Sequence, residues 1–428
     1  MVRGLRTGRA HGRHARPPEQ VYRNSFLLLA SSGTTAALGF LFWVVVARYY
    51  SPSQVGLATS LISAVSWISY LSLLGLNTTL IRFPAPGEAR NGQITRSLLV
   101  VGGLAAVAGT VYLAGLPLYA PRLLFVRHHP WGLALFVLAC VCAGGNLLTD
   151  SVFTGARVPQ YNVLVDGLVQ GLAKLALPIA LTGMGALGIV GASGGGYAVA
   201  AAASLLLMHR RLGYRPRVRG RGTRLREQLG FSAANYVSSL LDLIPLLALP
   251  LIVLQRLGSA EAGYYFVAFQ IAALVNSVSH AVGDALFAEV SYDGARFGAL
   301  LRRSAAITAG AQFAAAAVVA AASGLLLRLF GGGYQEHART LLVVLAAGSL
   351  AVALNYWASV VLRLAGLMTA LMLSQALYAV VAVGLAYAWA PRGLVWLGWA
   401  WGAGNLACGL TALAALAVWR YRRREVRG

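Results

Sequence analysis

Acidic residues and lysine are scarce in this chain. Its 428 residues include only 12 aspartates and glutamates, and Lys174 is the single lysine among 35 lysines and arginines. Charged residues make up 11% of the sequence and apolar residues 58%, and the mean hydropathy is +0.69. A soluble domain could not bury so much apolar surface. The apolar runs are about 20 residues long, as membrane helices require, whereas barrel strands are about half as long. The sequence therefore predicts an all-α integral membrane protein.

Cysteine and the motifs of soluble chemistry are also lacking. The three cysteines, Cys140, Cys142 and Cys408, lie within apolar segments, which argues against a disulfide framework or a zinc site. The chain contains no GxxxxGK[ST] phosphate-binding loop and no HExxH motif. The longest loop on the side opposite the termini, about 119–130, is too short to form a catalytic domain. We therefore expect a protein that is not an enzyme and that uses no metal and no cofactor.

Twelve apolar segments have the length of a membrane span. They lie near residues 25–47, 55–76, 97–118, 131–149, 160–183, 187–208, 231–254, 263–286, 303–329, 340–362, 366–390 and 393–419.

The distribution of arginine predicts the orientation of these spans. With both termini in the cytoplasm, 27 of the 35 basic residues lie on the cytoplasmic side and 7 outside, and Lys174 lies within a span. Such an excess is the usual signature of cytoplasmic loops. The formal net charge of +23 therefore reflects membrane orientation, and we expect no nucleic-acid partner. We predict a multi-pass protein of the cytoplasmic (inner) membrane that functions as a monomer.

An internal repeat predicts two lobes. One gap-free offset of 207 residues aligns Ser25 with Ser232, Gly56 with Gly263, and Gly103 with Gly310. Six spans per half is an even number, so the halves share one orientation and are related by a pseudo-two-fold axis along the membrane normal. The predicted organisation lists a basic tail 1–22, an N-lobe 23–208, a basic linker 209–228, a C-lobe 229–419 and a basic tail 420–428. The linker is interpreted either as a segment lying on anionic lipid or as an orientation signal alone.

Polar residues form stripes on four spans in equivalent places of the two halves. The seventh and eighth spans carry Asn235, Ser239, Asp242, Gln270, Ser277, His280 and Asp284. The matching positions in the first and second spans include Ser31, Ser32, Thr35, Ser63 and Tyr70. Such faces either pack helices closely or line a hydrated vestibule between the lobes, and His280 is either a packing residue or a proton carrier. The acids favour the central cavity, because an acid within a span is costly without a partner or water.

A further stripe follows the fifth span at steps of four residues, through Asn162, Asp166, Gln170 and Lys174. It is interpreted either as a ladder that fixes this span against a neighbour, or as a cationic contact for an anionic substrate group. In the second interpretation Asp166 sets the charge or exchanges a proton. Arg48 and Arg82 end spans, where snorkelling to the interface is the ordinary explanation, and both are also candidates for anion contact.

Three segments resemble a known family. NSFLLLASSGTTAALGFLFWVVVARYYSPSQVGLATSL resembles the first two spans of the Wzx-like polysaccharide-biosynthesis flippases, a branch of the multidrug/oligosaccharidyl-lipid/polysaccharide exporter superfamily. RLGSAEAGYYFVAFQIAALVNSVSHAVGDALFAEVS is similar to spans seven and eight of that family, and LLRLFGGGYQEHARTLLVVLAAGSL to its junction of spans nine and ten. The resemblance implies a two-lobed transporter whose spans one, two, seven and eight line a central cavity.

The same resemblance implies the cargo: an undecaprenyl-pyrophosphate-linked oligosaccharide, moved across the membrane by alternating access. A polysaccharide polymerase or a glycosyltransferase is then a candidate partner beside the membrane lipids. Residues 25–47 carry no charge, whereas lipid II flippases of the superfamily have arginines in the first span and multidrug exporters usually have an acid there. Lys174, Arg48 or Arg82 would have to bind the pyrophosphate. The alternatives are a multidrug/cation antiporter and, with only short loops to support it, a membrane-embedded glycan polymerase or ligase.

Overall fold

The fold is described by a computed structural model that covers residues 37–85, 87, 89–128, 130–217, 225–292 and 297–425. Side chains are described within these ranges except at 225–235, 278, 281, 283–292, 297–300 and 423–425. The described chain is helical and contains no strand.

The helices are numbered here in chain order. They are α1 Ala37–Tyr49, α2 Pro52–Ser72, α3 Leu76–Arg82, α4 Ala89–Tyr119, α5 Pro130–Gly155, α6 Gln160–Ala180, α7 Ala186–Leu212, α8 Leu225–Arg256, α9 Ser259–Tyr292, α10 Phe297–Ala321, α11 Ser323–Arg328, α12 Gly332–Leu364, α13 Met368–Trp389 and α14 Leu394–Glu425. Three 3₁₀ turns, Pro121–His128, Thr182–Met184 and Ala390–Arg392, join neighbouring helices on one side of the bundle.

Ten of these helices are long and apolar enough to cross a membrane. With α9 and the described part of α1 they account for the twelve predicted spans, and the short helices α3 and α11 prolong the second and ninth spans. The predicted fold class, two six-helix lobes of an all-α membrane protein, is confirmed.

The second span has a defined start and a break. Ser51 and Gln54 form a capping box, in which each side chain accepts a hydrogen bond from the backbone N–H of the other residue, and Pro52 takes the first helical position. The break follows Ser72, where Leu74 and Gly75 adopt left-handed φ angles of 46° and 76°. A left-handed residue cannot continue a right-handed helix. The chain therefore restarts as α3 after one turn.

The apolar core is shared by the lobes on one side of the membrane and divided on the other. We call the side that carries residues 209–217, between the lobes, the linker side. On the opposite side, one cluster joins N-lobe residues such as Val46 and Leu61 to C-lobe residues such as Leu249 and Tyr265. On the linker side each lobe has a cluster of its own. One contains Leu73, Leu148, Phe153 and Met208, and the other contains Leu301, Val361, Leu371 and Leu416. The lobes therefore share one apolar core on the opposite side and have separate cores on the linker side.

The meeting of the lobes brings two backbones together without side chains between them. A Cβ on Gly56 of α2 would lie 1.9 Å from the carbonyl oxygen of Ser259, and a Cβ on Gly263 of α9 would lie 2.1 Å from that of Pro52. The hydroxyls of Ser53 and Ser259 are 2.6 Å apart at the same crossing. Only glycine permits so close an approach. The two glycines predicted to be repeat equivalents thus meet across the pseudo-symmetry axis, and we call this crossing the glycine gate.

Two arginines add hydrogen bonds between the lobes on the same side. Arg48 at the end of α1 donates from Nε to the carbonyl of Leu329 over 2.8 Å, just after α11. Arg122 donates to the carbonyl of Leu254 over 2.8 Å, in the last turn of α8. Both acceptors are carbonyl groups at the C-terminus of a helix, where carbonyls lack intrahelical donors and carry partial negative charge. The opposite side is therefore closed by packing and by hydrogen bonds.

Candidate functional site

A polar cluster lies inside the N-lobe between α5 and α6. Asn146 of α5 donates to a carboxylate oxygen of Asp166 on α6 over 2.9 Å. The carboxyl groups of Asp150 and Asp166 lie within hydrogen-bonding reach of each other. Asn162 donates in turn to the backbone carbonyl of Asp150 over 3.1 Å. Asp166 belongs to a π-helical turn, Val163–Val169, an irregularity that occurs frequently at functional sites.

Lys174 lies beyond this cluster, two helical turns along α6. Its aliphatic stem crosses Gly196 of α7, where an added Cβ would meet the lysine Cγ at 2.5 Å. Its ammonium nitrogen is 4.1 Å from the centroid of the Tyr197 ring, a cation–π distance. Lys174 is close enough to Asp166 to attract it electrostatically, but the hydrogen bond of Asp166 goes to Asn146. The lysine is therefore positioned by α7, and it interacts with Asp166 through electrostatic attraction.

Contacts with the first span place this stripe near the space between the lobes, which we call the cleft. A Cβ on Gly171 would meet the Leu38 side chain at 2.8 Å, so α6 packs closely on α1 there. The Tyr50 hydroxyl donates to the carbonyl of Pro178 over 2.7 Å. On the other flank, Tyr70 of α2 lies within electrostatic range of Asp150 and Tyr197 and is 36% exposed. The fifth span therefore packs on the first, and the polar cluster beside it lies within electrostatic range of the second.

A second polar site is a cavity of about 250 Å³ within the C-lobe, bounded by α8, α9, α12, α13 and α14. Asp242 and Arg363 both line it and attract each other electrostatically. His280 lines it as well, and its ring stacks on that of Tyr356 with the centroids 4.2 Å apart. One acid, one guanidinium and one imidazole thus face a single cavity, so this lobe can contact polar and charged groups.

Amide side chains form the floor of this cavity. Asn355 donates to Asn405 over 2.9 Å, Ser359 donates to Asn355, and Gln375 donates to Ser359, the last two over 3.2 Å each. The Oε1 atom of Gln375 and the Oδ1 atom of Asn276 are buried without a hydrogen-bond partner. Hydroxyl-rich ligands can donate to such acceptors.

An apolar groove of about 640 Å³ runs between the lobes along α2, α4 and α8. Trp67, Val111 and Leu251 are among its lining residues, and Ser63 is one of its few polar ones. Tyr236 of α8 bridges the lobes near its linker-side end. Its hydroxyl donates to the carbonyl of Leu71 over 2.5 Å, where the break of the second span leaves carbonyls without helical donors. The groove offers an apolar path beside the polar cleft.

The remaining candidates occupy varied positions. Ser239 is exposed on α8, Gln170 is buried at 7% exposure, and Gln270 is half-buried on α9. Ser277 donates to the carbonyl of Leu274 on its own helix. Arg82 is exposed beside Phe83 at the end of α3, on the linker side. Arg48, in contrast, is held by the carbonyls on the opposite side, away from the cleft.

Some predicted residues lie outside the description. Ser31, Ser32 and Thr35 fall before the first described residue, and the side chains of Asn235 and Asp284 are not described. Sequence reasoning missed the partners Asn146 and Asp150 and the clamp formed by Gly196 and Tyr197. A signal for the first two exists, since NLLTD at 146–150 and NVLVD at 162–166 repeat one Asn-x-x-x-Asp pattern on consecutive spans.

Comparison with known proteins agrees with this architecture. A family model described as polysaccharide biosynthesis protein matches residues 21–287. Among the curated proteins, none matched the sequence. A solved structure of the lipid II flippase MurJ in an inward closed conformation superposes with a TM-score of 0.73 at 10% identity, covering 92% of this chain and 87% of that one.

Two transporters of related description are also similar in structure. An inward-facing multidrug resistance MATE family transporter of the MOP superfamily gives a TM-score of 0.67 at 14% identity, over 92% of this chain and 94% of that one. A MOP superfamily transporter from Pyrococcus furiosus gives 0.59 at 14% identity, over 95% and 96%. At these identities the likeness shows the fold, and it confirms the predicted two-lobed architecture.

Proposed function

Because this chain belongs to the polysaccharide biosynthesis protein family, we propose that it moves a lipid-linked oligosaccharide across the cytoplasmic membrane by alternating access. Family and fold together identify a multi-pass membrane transporter or flippase. The lipid-linked cargo, the direction of transport and the residues that bind the cargo are the proposal.

The divided core is the observation that carries the proposal. The lobes share one apolar core on the opposite side and have separate cores on the linker side. Exchange between this arrangement and its converse needs the glycine gate and the hydrogen bonds of Arg48 and Arg122 to part, and the linker-side walls to meet. Rigid lobes that rock about a central site are the usual form of alternating access in transporters built from repeats. The concentration of arginine on the linker side supports a cytoplasmic location for it and for both termini.

The cleft offers different chemistry to each part of such a cargo. We assign the pyrophosphate to Lys174, whose ammonium is held over Tyr197 beside the first and second spans. Asp242, His280 and the amide floor of the C-lobe cavity would receive the sugar hydroxyls. The apolar groove beside α2 would take the lipid tail, which then never leaves an apolar environment.

Arg363 is the cation of the C-lobe cavity, and its surroundings favour Lys174 as the residue that binds the pyrophosphate. It faces the cavity beside Asp242, and its attraction to that acid opposes the binding of an anion there. Arg82, exposed on the linker side, is placed to meet the anionic headgroup as it enters from that leaflet. We assign no such role to Arg48, because its guanidinium donates to the carbonyls of Leu329 and Arg328 on the opposite side.

The test is flipping by the purified full chain in proteoliposomes. A fluorescent undecaprenyl-pyrophosphate-linked oligosaccharide is placed in one leaflet. Its exposure to a membrane-impermeant quencher is then followed with time. We expect flipping that requires both the pyrophosphate-linked sugar and the lipid. We expect no transport of a cationic drug-like dye. Transport of the dye without the lipid-linked sugar would identify a multidrug antiporter instead.

A further inference from the structure

The Asn-x-x-x-Asp segments of α5 and α6 form a reciprocal array. The two helices run antiparallel, so Asn146 of α5 contacts Asp166 of α6 while Asn162 of α6 contacts the backbone of Asp150 on α5. The two carboxyl groups meet between them. We call these four residues the Asn–Asp array. Nothing in the transport of a lipid-linked sugar requires this arrangement for binding the cargo.

The array contains more acceptors than donors. Asn146 is 4% exposed, yet its Oδ1 atom has no hydrogen-bond partner, and the Oδ1 atoms of Asp150 and Asn162 are likewise buried without one. Each unpaired buried acceptor carries a desolvation penalty. The array is therefore short of donors, and a proton shared by the two carboxyl groups supplies one where the acids meet.

The charges around the array lead to the same conclusion. Among the described residues, Lys174 of α6 attracts Asp166, Tyr70 of α2 lies within electrostatic range of Asp150, and Tyr197 of α7 lies against the Lys174 ammonium. Two ionised carboxylates and one ammonium leave one negative charge uncompensated. Two carboxylates in contact cannot both remain ionised inside a span without a cation between them. The array therefore has room for one monovalent positive charge.

We propose that the Asn–Asp array is a binding site for one exchangeable proton, held between the carboxyl groups of Asp150 and Asp166. A proton fits because the carboxyl groups are already within hydrogen-bonding reach of each other, so one proton can join them through a hydrogen bond. A larger cation would push the two groups apart. Uptake of the proton makes the array and Lys174 together neutral. Loss of the proton restores the negative charge beside the lysine.

This occupancy gives the lysine two states. With the proton bound, Lys174 can attract an anion, and with the proton lost, the neighbouring carboxylate repels that anion. Proton binding and anion binding are then coupled, and each strengthens the other by the same factor. This consequence rests on the proposed function, whereas the proton site itself does not.

The test uses infrared difference spectra of the full chain in lipid, and it needs no transported substrate. We expect a C=O stretch of a protonated carboxyl group at neutral pH, shifted by D₂O, in the wild type. It should be lost in Asp150→Asn and in Asp166→Asn, because either change removes one of the two groups that share the proton. Glu336→Gln, which alters an exposed acid away from the array, should retain it.

Three results would overturn the proton site: no such band in the wild-type protein, a band that persists in both asparagine variants, or a band lost on adding Na⁺ at constant pH. The last would show that the occupant is Na⁺. The wild-type spectrum decides the first point even where a variant fails to fold. A band without flipping would contradict the proposed function and leave the proton site standing. Flipping without the band would contradict the proton site and leave the proposed function standing.

Discussion

The glycine gate gives the sharpest prediction about conformational change. Gly56→Ala places a Cβ 1.9 Å from the carbonyl oxygen of Ser259, which is backbone and cannot rotate away. The spans must separate by more than 1 Å to reach ordinary van der Waals contact near 3.5 Å. Forcing an extra methyl group into a packed site costs about 1–3 kcal/mol. Since the gate is closed in only one of the two states, this cost falls on the closed state alone. The equilibrium should shift about 5- to 150-fold towards opening of the opposite side.

The shift can be measured by labelling. Ser53→Cys places a thiol at the gate, and a membrane-impermeant maleimide added from the opposite side reports how often it opens. Gly263→Ala should raise the labelling rate as Gly56→Ala does, because its Cβ would lie 2.1 Å from the carbonyl of Pro52. The matched control is the other glycine pair of the same repeat, Gly103 and Gly310, where an added Cβ has nothing within 4 Å.

The control separates packing from helix propensity. Any glycine-to-alanine change within a helix stabilises that helix by about 1 kcal/mol, and the two pairs share this term. Equal labelling rates for the gate variants and for the control variants would refute the idea that this crossing closes the opposite side. A rate increase in only one of the gate variants would refute the reciprocal contact.

Three further outcomes follow from the described contacts. Ser53→Cys combined with Ser259→Cys should form a disulfide, because the hydroxyl oxygens are 2.6 Å apart, and flipping should stop on oxidation and resume on reduction. Lys174→Ala should lower flipping at least about tenfold without loss of the protein from the membrane, if the lysine supplies about 1.4 kcal/mol or more of anion binding. Asp242→Asn should impair flipping, and Arg363→Gln should impair it also, since each leaves the other charge uncompensated in the cavity.

Each of these outcomes has a control in the chain. Either single cysteine variant should be insensitive to oxidation. Ser239→Ala removes a polar group from α8 without removing a charge, so its effect should be small; an effect equal to that of Asp242→Asn would indicate that the stripe is only a packing face. Unchanged flipping by Lys174→Ala would remove the lysine from the mechanism.

The helices were predictable because their signals are local. Apolar runs of spanning length indicate where each span lies, and the bounds of the described helices differ from the predicted ones by up to eight residues, as at the start of α4. The repeat offset of 207 residues also pointed to a contact in the structure, since the equivalent glycines Gly56 and Gly263 meet at one helix crossing. The break at Leu74 was not predicted, because nothing in a leucine forces a positive φ; the surrounding packing and the following glycine do.

The interior partners were less predictable, since they depend on which helices become neighbours. The stripe from Asp166 to Lys174 gives one face of α6, but the sequence does not state that Asn146 of α5 lies opposite. Likewise Gly196 has no special signal in a run of small residues, yet it makes the space for the lysine stem. The roles assigned to Ser31, Ser32 and Thr35 stay predictions, as these residues lie outside the described ranges.

The arginines that join the lobes have a consequence for the surrounding lipid. Arg48 and Arg122 donate to carbonyl oxygens, not to carboxylates, so these two contacts within the described residues are not ion pairs that dissolved salt could screen. Phosphate oxygens of phospholipids are better acceptors for a guanidinium than carbonyls are. Anionic lipid around the opposite side would therefore compete for both arginine side chains and weaken the hydrogen bonds that join the lobes there. The composition of one leaflet, more than ionic strength, would then regulate how readily the transporter releases its load.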